Sequence, residues 1–326
     1  MSNNITEYKK ILVVGGAGYI GSACVKVLFE RGYKNIIVFD NLDKGRVELV
    51  DSKAVFVQGD LRHKEDLNQL FSNHDFDCVI HFAALKAVGE SEKFPQKYFE
   101  NNVCGTANLL AVMDEYDVKQ IIFSSTACVY AEKDSGVYVE TDPLQAPNVY
   151  GSTKIICENM IRDYNRTKNL NYTIFRYFNV AGDVGLNYID PDAQNIFPII
   201  SEVIVGKRDK LEIFGNDYKT CDGTCVRDYI HLKDLVEAHV LAVESSGSYE
   251  FNLGTEKGTT VQELVDSFIS FNGSFLFDVV SRREGDLGVS LADSSLALEK
   301  LNWRAECSLD EMIKDTLSVY FNKNNE

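Results

Sequence analysis

Tyr150 and Lys154 are the residues of this 326-residue chain whose types and spacing first suggest chemistry. They fall in the stretch NVYGSTKII, residues 148–156. Four residues are about one helical turn, so the phenol and the ammonium would lie on one face of a helix. The pair has two interpretations: an ordinary helix surface, or a phenol that accepts a proton. A free phenol has a pKa of about 10, so a base working near pH 7 needs nearby positive charge to lower that pKa.

A glycine-rich turn is the second chemical feature. The apolar run ILVV is followed by GGAGYIG, from Gly15 to Gly21, and then by a segment with helical spacing. Glycines here allow a tight turn and let the backbone approach a pyrophosphate, which the helix N-terminus attracts. The other interpretation is a structural loop without a ligand. Binding of a dinucleotide is favoured because the next apolar run ends in Asp40, whose carboxylate suits the adenine ribose hydroxyls. Since that carboxylate would repel a 2′-phosphate, the sequence predicts NAD rather than NADP.

Polar and small residues follow three further apolar runs. Gly59-Asp60-Leu61 carries a carboxylate for the adenine amine, and 82–86 (FAALK) carries small residues and a lysine for a phosphate. The run at 120–123 ends in the hydroxyls of Ser124, Ser125 and Thr126. Each group alone also fits a structural role. Their shared position favours a binding groove, because ligands of doubly wound sheets bind outside the carboxyl ends of the strands.

Short apolar runs alternate with segments of helical spacing along the first half of the chain. The runs span 11–16, 35–41, 54–60, 78–84, 120–126 and 172–178, and the helical segments include 18–31, 96–116 and 151–167. Consecutive apolar residues are typical of strands covered on both faces. We therefore predict an α/β fold, a Rossmann-type doubly wound parallel sheet with a smaller C-terminal substrate-binding lobe. The expected domains are 1–179, completed by parts of 228–254, and mostly 180–326.

Composition and charge exclude several classes of function. The net charge of −16 argues against a broad nucleic-acid or anionic-membrane surface. No apolar run approaches the roughly 18 residues of a membrane span, and the polar start MSNNITEYKK is unlike a signal peptide. Cys221 and Cys225 form a lone C-x₃-C, which argues against zinc, so no metal is expected. Five other cysteines lie in apolar stretches and are expected in the core, which favours a reducing cytoplasm.

Ten segments together resemble the UDP-glucose (UDP-galactose) 4-epimerase family, in the extended branch of the short-chain dehydrogenase/reductase superfamily. The resemblance runs nearly from end to end, and several of the segments are specific to the epimerases. They are GGAGYIG (15–21), FDNLDKG (39–45), HFAALKAVGES (81–91), NNVCGT (101–106), FSSTACVY (123–130), YGSTK (150–154), RYFNVAG (176–182), IFGNDY (213–218), DGTCVRDYIH (222–231) and RREGD (282–286).

The resemblance implies catalytic roles for three residues. Tyr150 would take the proton of the sugar O4 while C4 delivers hydride to NAD, and the 4-ketose would turn over before the hydride returns. Thr126 would hydrogen-bond O4, and Lys154 would hold the nicotinamide ribose and lower the phenol pKa. NAD would stay bound through each cycle.

Binding residues and partners are implied in the same way. The substrate would be a UDP-sugar, and the chain would form a homodimer through 96–116 and 151–167. The implied NAD contacts are Gly15, Gly18, Tyr19, Ile20, Gly21, Asp40, Asn41, Leu42, Asp60, Leu61, Phe82, Ala83, Ala84, Lys86, Asn102, Ser124, Tyr150, Lys154, Tyr177 and Phe178. The implied substrate contacts are Lys86, Thr126, Tyr150, Asn179, Asn195, Ile196, Phe214, Arg227, Arg283 and Ser290.

Two positions depart from the family pattern. Ala131 stands where the family usually has glycine, and Ser290 stands where bacterial-type members have tyrosine. A tyrosine there would crowd an N-acetyl group at C2, whereas a small residue would leave room for it. The resemblance therefore implies activity on UDP-N-acetylglucosamine and UDP-N-acetylgalactosamine as well as on the plain hexoses.

Two rival functions share the predicted fold. A nucleotide-sugar 4,6-dehydratase or decarboxylase is one, but dehydratases place acidic residues directly after the catalytic Ser/Thr, and Ala127 and Cys128 stand there. A dinucleotide-sensing regulator is the other, but such proteins typically lose the Tyr–Lys pair that this chain retains.

Overall fold

The structure is a computed structural model that describes residues 5–189, 195–283 and 286–324. The chain divides into two compact units. The first unit comprises the residues up to Ala131 together with Pro143–Arg176 and Val236–Phe251. The second comprises Glu132–Asp142, Tyr177–Leu235 and the chain from Asn252 onwards.

The regular elements of the described residues follow in chain order. The strands are β1 (Lys10–Val14), β2 (Asn35–Asp40), β3 (Val55–Gln58), β4 (Cys78–His81), β5 (Gln120–Ser124), β6 (Val137–Tyr138), β7 (Asn171–Tyr177), β8 (Asn179–Ala181), β9 (Leu211–Phe214), β10 (Val226–His231), β11 (Tyr249–Leu253), β12 (Gly258–Thr260), β13 (Phe277–Val280) and β14 (Val289–Ala292). The α-helices are α1 (Ile5–Tyr8), α2 (Tyr19–Glu30), α3 (Lys64–Asn73), α4 (Val88–Lys93), α5 (Pro95–Tyr98), α6 (Gly105–Glu115), α7 (Val149–Lys168), α8 (Ile196–Ile204), α9 (Leu232–Val243), α10 (Val261–Asn272), α11 (Ser295–Leu301) and α12 (Leu309–Asn324). Short 3₁₀ segments cover Val47–Leu49 and Ala127–Val129, and Phe99–Cys104 is a π-helix.

A seven-stranded sheet has the order β11-β7-β5-β4-β1-β2-β3. Every pairing from β7 to β3 is parallel. In β1 the four residues from Ile11 to Val14 are completely buried, as expected of a strand covered on both faces. The strand order reverses between β1 and β4, which is where such sheets bind ligands. The predicted doubly wound Rossmann-type sheet is confirmed.

The helical segment predicted at 96–116 is not one continuous α-helix. Pro95–Tyr98 is a single α-helical turn, Phe99–Cys104 is a π-helix, and only Gly105–Glu115 is a regular α-helix. A π-turn holds an extra residue, and a 3.6-residue hydrophobic period does not reveal it. The expectation that Cys104 and Cys128 belong to the core is wrong: Cys104 is exposed and Cys128 is half-buried, whereas Cys24, Cys78 and Cys157 are buried.

The second unit has its own sheet and core. Its main sheet has the order β12-β10-β14-β6, and β8 also pairs with β10. The parallel register of β10 and β14 places Arg227 beside Ser290. A separate parallel pair joins β9 to β13. Phe197 of α8 and Phe268 of α10 pack edge to face in the core of this unit, with ring centroids 5.4 Å apart.

Candidate active site

The glycine turn between β1 and α2 requires close backbone contacts. Gly15 has a φ of +79°, and a Cβ there would lie 2.6 Å from the backbone nitrogen of Ala83. A Cβ on Gly21 would lie only 2.2 Å from the carbonyl oxygen of Gly15. Gly18 precedes α2, and Tyr19 and Ile20 begin the helix. The first N–H groups of a helix have no intrahelical acceptors, so this turn is suited to a pyrophosphate.

Asp40 ends β2 beside the glycine turn. Its Oδ2 accepts a hydrogen bond from the Ala17 N–H at 3.1 Å, and its Oδ1 accepts one from the Leu42 N–H at 2.9 Å. Leu42 reaches this position with a left-handed φ of +62°. Burial raises the pKa of the Asp40 carboxyl, and the two backbone hydrogen bonds oppose that rise. The carboxylate therefore stands at the strand end where the sequence predicted it, and it also holds the glycine turn in place.

Asp60 stands beyond β3 with its carboxylate already engaged. It accepts hydrogen bonds from the Arg62 guanidinium at 2.6 and 2.9 Å and from Asn41 Nδ2 at 2.9 Å. The hydrogen bonds from Arg62 hold the pKa of this carboxyl well below its usual range. Leu61 is buried in the core of the first unit. An adenine contact by Asp60 stays a prediction.

Asn102 holds the loop that follows β4. Its Oδ1 accepts a hydrogen bond from the Leu85 N–H at 2.8 Å, and its Nδ2 donates to the Leu85 carbonyl at 3.0 Å. The same Nδ2 donates to Thr153 Oγ1 on α7 at 3.0 Å. The start of the loop is held to β1, because the N–H groups of Phe82 and Ala83 both donate to the Val14 carbonyl. Within this loop Ala84 is half-buried and Lys86 is exposed.

Helix α7 begins one residue before Tyr150. Asn148 caps the helix, with its Oδ1 accepting from the Gly151 N–H at 2.8 Å. The Tyr150 N–H donates to Ser91 Oγ at 3.1 Å, and the Tyr150 side chain is 8% exposed. A Cβ on Gly151 would lie 2.3 Å from the Cys128 carbonyl oxygen. Only glycine therefore lets the first turn of α7 approach the segment that follows β5.

Lys154 is a buried cation one turn further along α7. Its Nζ donates to the Ser124 carbonyl at 2.7 Å and lies 4.6 Å from the centroid of the Phe123 ring. Burial lowers the pKa of Lys154 to about 8, and the nearby Cys157 and Glu158 partly oppose this. The ammonium form therefore still predominates at pH 7. Its charge helps to lower the pKa of the buried His81 to about 3, although burial is the main cause.

Thr126 lies two residues beyond β5 and is 7% exposed. Its Oγ1 accepts a hydrogen bond from the Cys128 N–H at 3.2 Å and so starts the 3₁₀ turn. That turn packs against α7. The structure thus brings the predicted hydroxyl, phenol and ammonium to one end of the first unit's sheet, where β5 meets the first two turns of α7.

Sequence reasoning missed three residues that shape this part of the first unit. Gly151 permits the close approach described above. His239 of α9 lies with its Nε2 3.0 Å from Ser124 Oγ, and its ring packs against the rings of Phe82 and Phe175. Glu158 is completely buried and accepts a hydrogen bond from Ser125 Oγ. Glu158 had a visible signal, because it repeats the four-residue spacing of Tyr150 and Lys154.

The remaining predicted contacts near β7 and β8 belong to the second unit. Tyr177 ends β7, and the Phe178 N–H donates to the Leu253 carbonyl at 3.4 Å. Asn179 Nδ2 donates to the Asp228 carbonyl at 3.1 Å. Asn195 caps α8 and its Nδ2 donates to the Val180 carbonyl at 2.6 Å. Ile196, the first residue of α8, packs on the core of this unit. These contacts are structural, and substrate contacts by the same residues stay predictions.

Two predicted arginines are partnered within the second unit. Arg227 pairs with Asp286 at 3.1 Å and stands beside Ser290 across the β10–β14 register. The Arg283 guanidinium stacks on Phe214, 3.7 Å from the ring centroid. Part of the predicted RREGD segment, residues 284–285, lies outside the described residues.

The described part of the chain has neither a metal-binding cluster nor a membrane-spanning helix. Residues 5–189, 195–283 and 286–324 contain no cluster of three or more His, Cys, Asp or Glu side chains placed to hold a metal ion. Over the same ranges no helix combines the length and the apolar character needed to cross a membrane.

Known proteins resemble the chain over nearly its whole length. Residues 11–254 match the family described as the NAD dependent epimerase/dehydratase family. A UDP-glucose 4-epimerase from Erwinia amylovora is 43% identical over 324 residues, covering 94% of this chain and 96% of that protein.

Solved structures show the same similarity. A UDP-glucose-4-epimerase from Stenotrophomonas maltophila, with bound NAD and formylated UDP-arabinopyranose, has a TM-score of 0.92 at 38% identity and covers 98% of this chain and 99% of that one. A UDP-Glc/GlcNAc 4-epimerase from Campylobacter jejuni has a TM-score of 0.86 at 35% identity and covers 96% of this chain and 99% of that one.

Replacing Gly21 by alanine tests the glycine turn. We expect Gly21→Ala to lower the thermal midpoint and to reduce the dinucleotide that copurifies, because its Cβ would overlap the Gly15 carbonyl oxygen. Gly89→Ala is the matched control, since a Cβ at this helical glycine has nothing within 4 Å. The measurements are thermal unfolding and the amount of dinucleotide released on denaturation. Equal behaviour of the two variants would contradict the predicted role of the turn.

Proposed function

The chain belongs to the NAD-dependent epimerase/dehydratase family, and we propose that it is an isomerase that interconverts UDP-galactose and UDP-glucose by inverting C4 of the sugar. One observation carries this proposal: the first unit holds Thr126, Tyr150 and a buried Lys154 near the carboxyl end of β5, in a parallel sheet whose strand β1 ends in a dinucleotide-type glycine turn. The 43% identity to a UDP-glucose 4-epimerase over nearly both chains supports it.

The residues of the glycine turn fit NAD. A Cβ at Gly15 or at Gly21 would overlap neighbouring backbone atoms, so the turn keeps its tight shape only with glycine. A buried carboxylate, Asp40, stands beside the turn. That carboxylate suits the hydroxyls of an adenine ribose and opposes a 2′-phosphate, which supports NAD over NADP. When bound, NAD supplies a reversible acceptor for the hydride of C4.

Proton transfer is assigned to this chain's own side chains. Tyr150 removes the proton from the sugar O4, and the Thr126 hydroxyl hydrogen-bonds O4 and orients it towards the phenol. Two features favour the phenolate that this requires. Tyr150 lies in the first turn of α7, where the helix dipole favours negative charge, and the Lys154 ammonium follows one turn later. After the 4-ketose turns over, Tyr150 returns the proton to O4 of the other epimer.

The UDP group is assigned to residues of the second unit. Arg227 and Arg283 are the proposed partners of the diphosphate, since one guanidinium group can donate two hydrogen bonds to two phosphate oxygens. Arg227 already pairs with Asp286, so a diphosphate would replace a carboxylate there. Asn179, Asn195, Ile196 and Phe214 are the further proposed contacts.

Ser290 extends the proposal to N-acetylated sugars. It is half-buried on β14, and its register partner across the sheet is Arg227, a proposed diphosphate ligand. Side chains of register partners project from the same face of a sheet, so Ser290 would border the sugar that follows the diphosphate. A small side chain leaves room for an N-acetyl group. The Campylobacter jejuni UDP-Glc/GlcNAc 4-epimerase, similar over 96% of this chain, supports the wider range.

We further assign a homodimer and a cytoplasmic location to the protein. The segments 96–116 and 151–167 lie side by side and carry exposed apolar side chains, Phe99 and Tyr116 on one and Ile156 on the other. An exposed apolar surface of this kind favours contact with the same surface of a second copy of the chain. The eight cysteines all lie within the described residues and form no disulfide there, which supports a reducing compartment.

Removing the phenol oxygen tests the proposed base. Tyr150→Phe should fold and retain NAD, yet lose about 10²-fold or more in kcat, because no proton acceptor remains. Tyr164→Phe, on the same helix but packed on the core, is the control. The assay follows UDP-galactose to UDP-glucose without added reductant. A variant that retains most of its kcat would remove Tyr150 from this role, and a 4-keto-6-deoxy product from the unaltered protein would indicate a dehydratase instead.

Enlarging Ser290 tests the sugar range. The unaltered protein should act on both sugar pairs, whereas Ser290→Tyr should lose kcat/KM for the N-acetylated pair by about tenfold or more and spare the plain hexoses. Ser290→Ala is the control, because it stays small and should keep both activities. If Ser290→Tyr affects both pairs equally, Ser290 does not limit the sugar that binds.

A charge in the apolar surface tests the homodimer. Ile156→Glu should reduce the particle mass towards that of one chain. Forming the dimer would bury the new carboxylate without a partner, which is unfavourable. Leu276→Glu, at a 72% exposed apolar residue of the second unit, should leave the mass unchanged. Light scattering supplies the measurement. A monomeric unaltered protein would refute the assignment.

A further inference from the structure

Glu158 is a completely buried carboxylate on the helix that carries Tyr150 and Lys154. Residues 150, 154 and 158 are each one turn apart, so their side chains lie on one face of α7. A buried carboxylate is stable only when its oxygens are hydrogen-bonded and its charge is paired. Its partners therefore reveal what this face of the helix holds.

Each carboxylate oxygen of Glu158 accepts two hydrogen bonds. Oε1 accepts from Ser125 Oγ at 2.5 Å and from Arg176 Nε at 3.1 Å. Oε2 accepts from the guanidinium groups of Arg176 and Arg162, each at 2.7 Å. The two arginines also share a second carboxylate, Glu250, at 2.6 Å from each. The cluster thus contains two positive and two negative groups.

Ser125 links this cluster to the candidate active site. It is completely buried and stands between two residues of that site. The Ser124 carbonyl before it accepts the hydrogen bond from Lys154 Nζ, and Thr126 after it carries the proposed hydroxyl. Successive turns of α7 therefore hold successive residues at the end of β5: Lys154 holds Ser124, and Glu158 holds Ser125.

We propose that Glu158 is a positioning residue of the epimerase reaction, which fixes Thr126 and Lys154 through Ser125. Of the acidic residues of α7, Glu158 is also the one nearest in sequence to Lys154, so its negative charge acts on the ammonium. The inference rests on the proposed function. Glu250 binds the same two arginines and does not contact Ser125, so it shares the structural role of Glu158 without the positioning role.

The charge of Glu158 also acts on Lys154. The titratable groups that influence the pKa of this ammonium are Cys157 and Glu158 on α7. The Lys154 charge in turn lowers the pKa of His81 on β4. Burial lowers the pKa of Lys154 to about 8, while Cys157 and Glu158 raise it. Removing the Glu158 charge lowers the Lys154 pKa further, so the proton is lost at a lower pH. Activity that needs the ammonium should then decline at a lower pH.

Two pairs of variants test the proposal. Ser125→Ala removes the link and keeps every charge, and Ser201→Ala is its control, a buried serine of α8 whose Oγ donates within its own helix. Glu158→Gln removes one charge from the cluster, and Glu250→Gln removes the same charge without touching Ser125. Each is assayed for kcat and KM on UDP-galactose across pH, for bound NAD per chain, and for thermal stability.

The expected pattern separates positioning from packing. Ser125→Ala and Glu158→Gln should lose about tenfold or more in kcat per bound NAD, with little change in KM, because misplacing a reacting group raises the barrier more than it weakens binding. Only Glu158→Gln should move the alkaline limb of the pH profile to lower pH, because only this variant removes a negative charge that raises the Lys154 pKa. Glu250→Gln and Ser201→Ala should keep kcat and the profile, whatever their thermal stability.

Contrary results are equally distinct. If both test variants keep kcat per bound NAD and differ from their controls only in thermal stability, Glu158 is structural and the proposal is overturned. If Glu158→Gln does not fold, Ser125→Ala decides, since it retains the whole charge cluster. An unaltered protein without epimerase activity would overturn the proposed function itself and this inference with it.

Discussion

Burial of the Lys154 ammonium is the interaction on which the packing of α7 against β5 depends. A charge removed from water is destabilising by several kcal/mol unless it is hydrogen-bonded and its field is balanced. The Ser124 carbonyl supplies the hydrogen bond and the face of the Phe123 ring lies 4.6 Å away. Helix α7 must therefore lie against the end of β5, and the phenol one turn earlier is brought to the same place. The charge proposed to favour the Tyr150 phenolate is thus also the charge that requires this packing.

Close packing of α7 on that strand end depends on residues without side chains. Gly151 lets the helix approach the Cys128 carbonyl, just as Gly15 and Gly21 let the first turn approach the loop after β4 and the start of α2. In both places a single methyl group would overlap backbone atoms, which cannot move aside as a flexible side chain can. All three glycines lie at or just beyond strand ends or at the start of a helix, where loops can adopt such close geometry.

In the second unit, the polar residues proposed for the substrate also hold the fold together. Asn195 caps α8, Asn179 ties β8 to β10, and Arg227 pairs with Asp286. Asp228, next to Arg227, accepts hydrogen bonds from the N–H groups of Thr255, Glu256 and Ala292, so it fixes β10 against β14. That register is what places Arg227 beside Ser290. The residue proposed to bind the diphosphate and the residue proposed to limit the sugar are therefore positioned by one strand pairing.

The sequence by itself determined the parallel sheet of the first unit, the glycine turn with Asp40, and the shared helix face of Tyr150 and Lys154. Each of these depends on residues within one or two turns or one strand, where periodicity and backbone chemistry act locally. Only the tertiary structure decided that Glu158 contacts Ser125, 33 residues earlier in the chain. It also decided that Asn102 lies in a π-helix and holds the loop after β4. Finally, it decided that Ser290 lies beside Arg227. Contacts of this kind follow from strand order, register and the approach of helices, which bring together residues far apart in the chain and leave no local pattern to read.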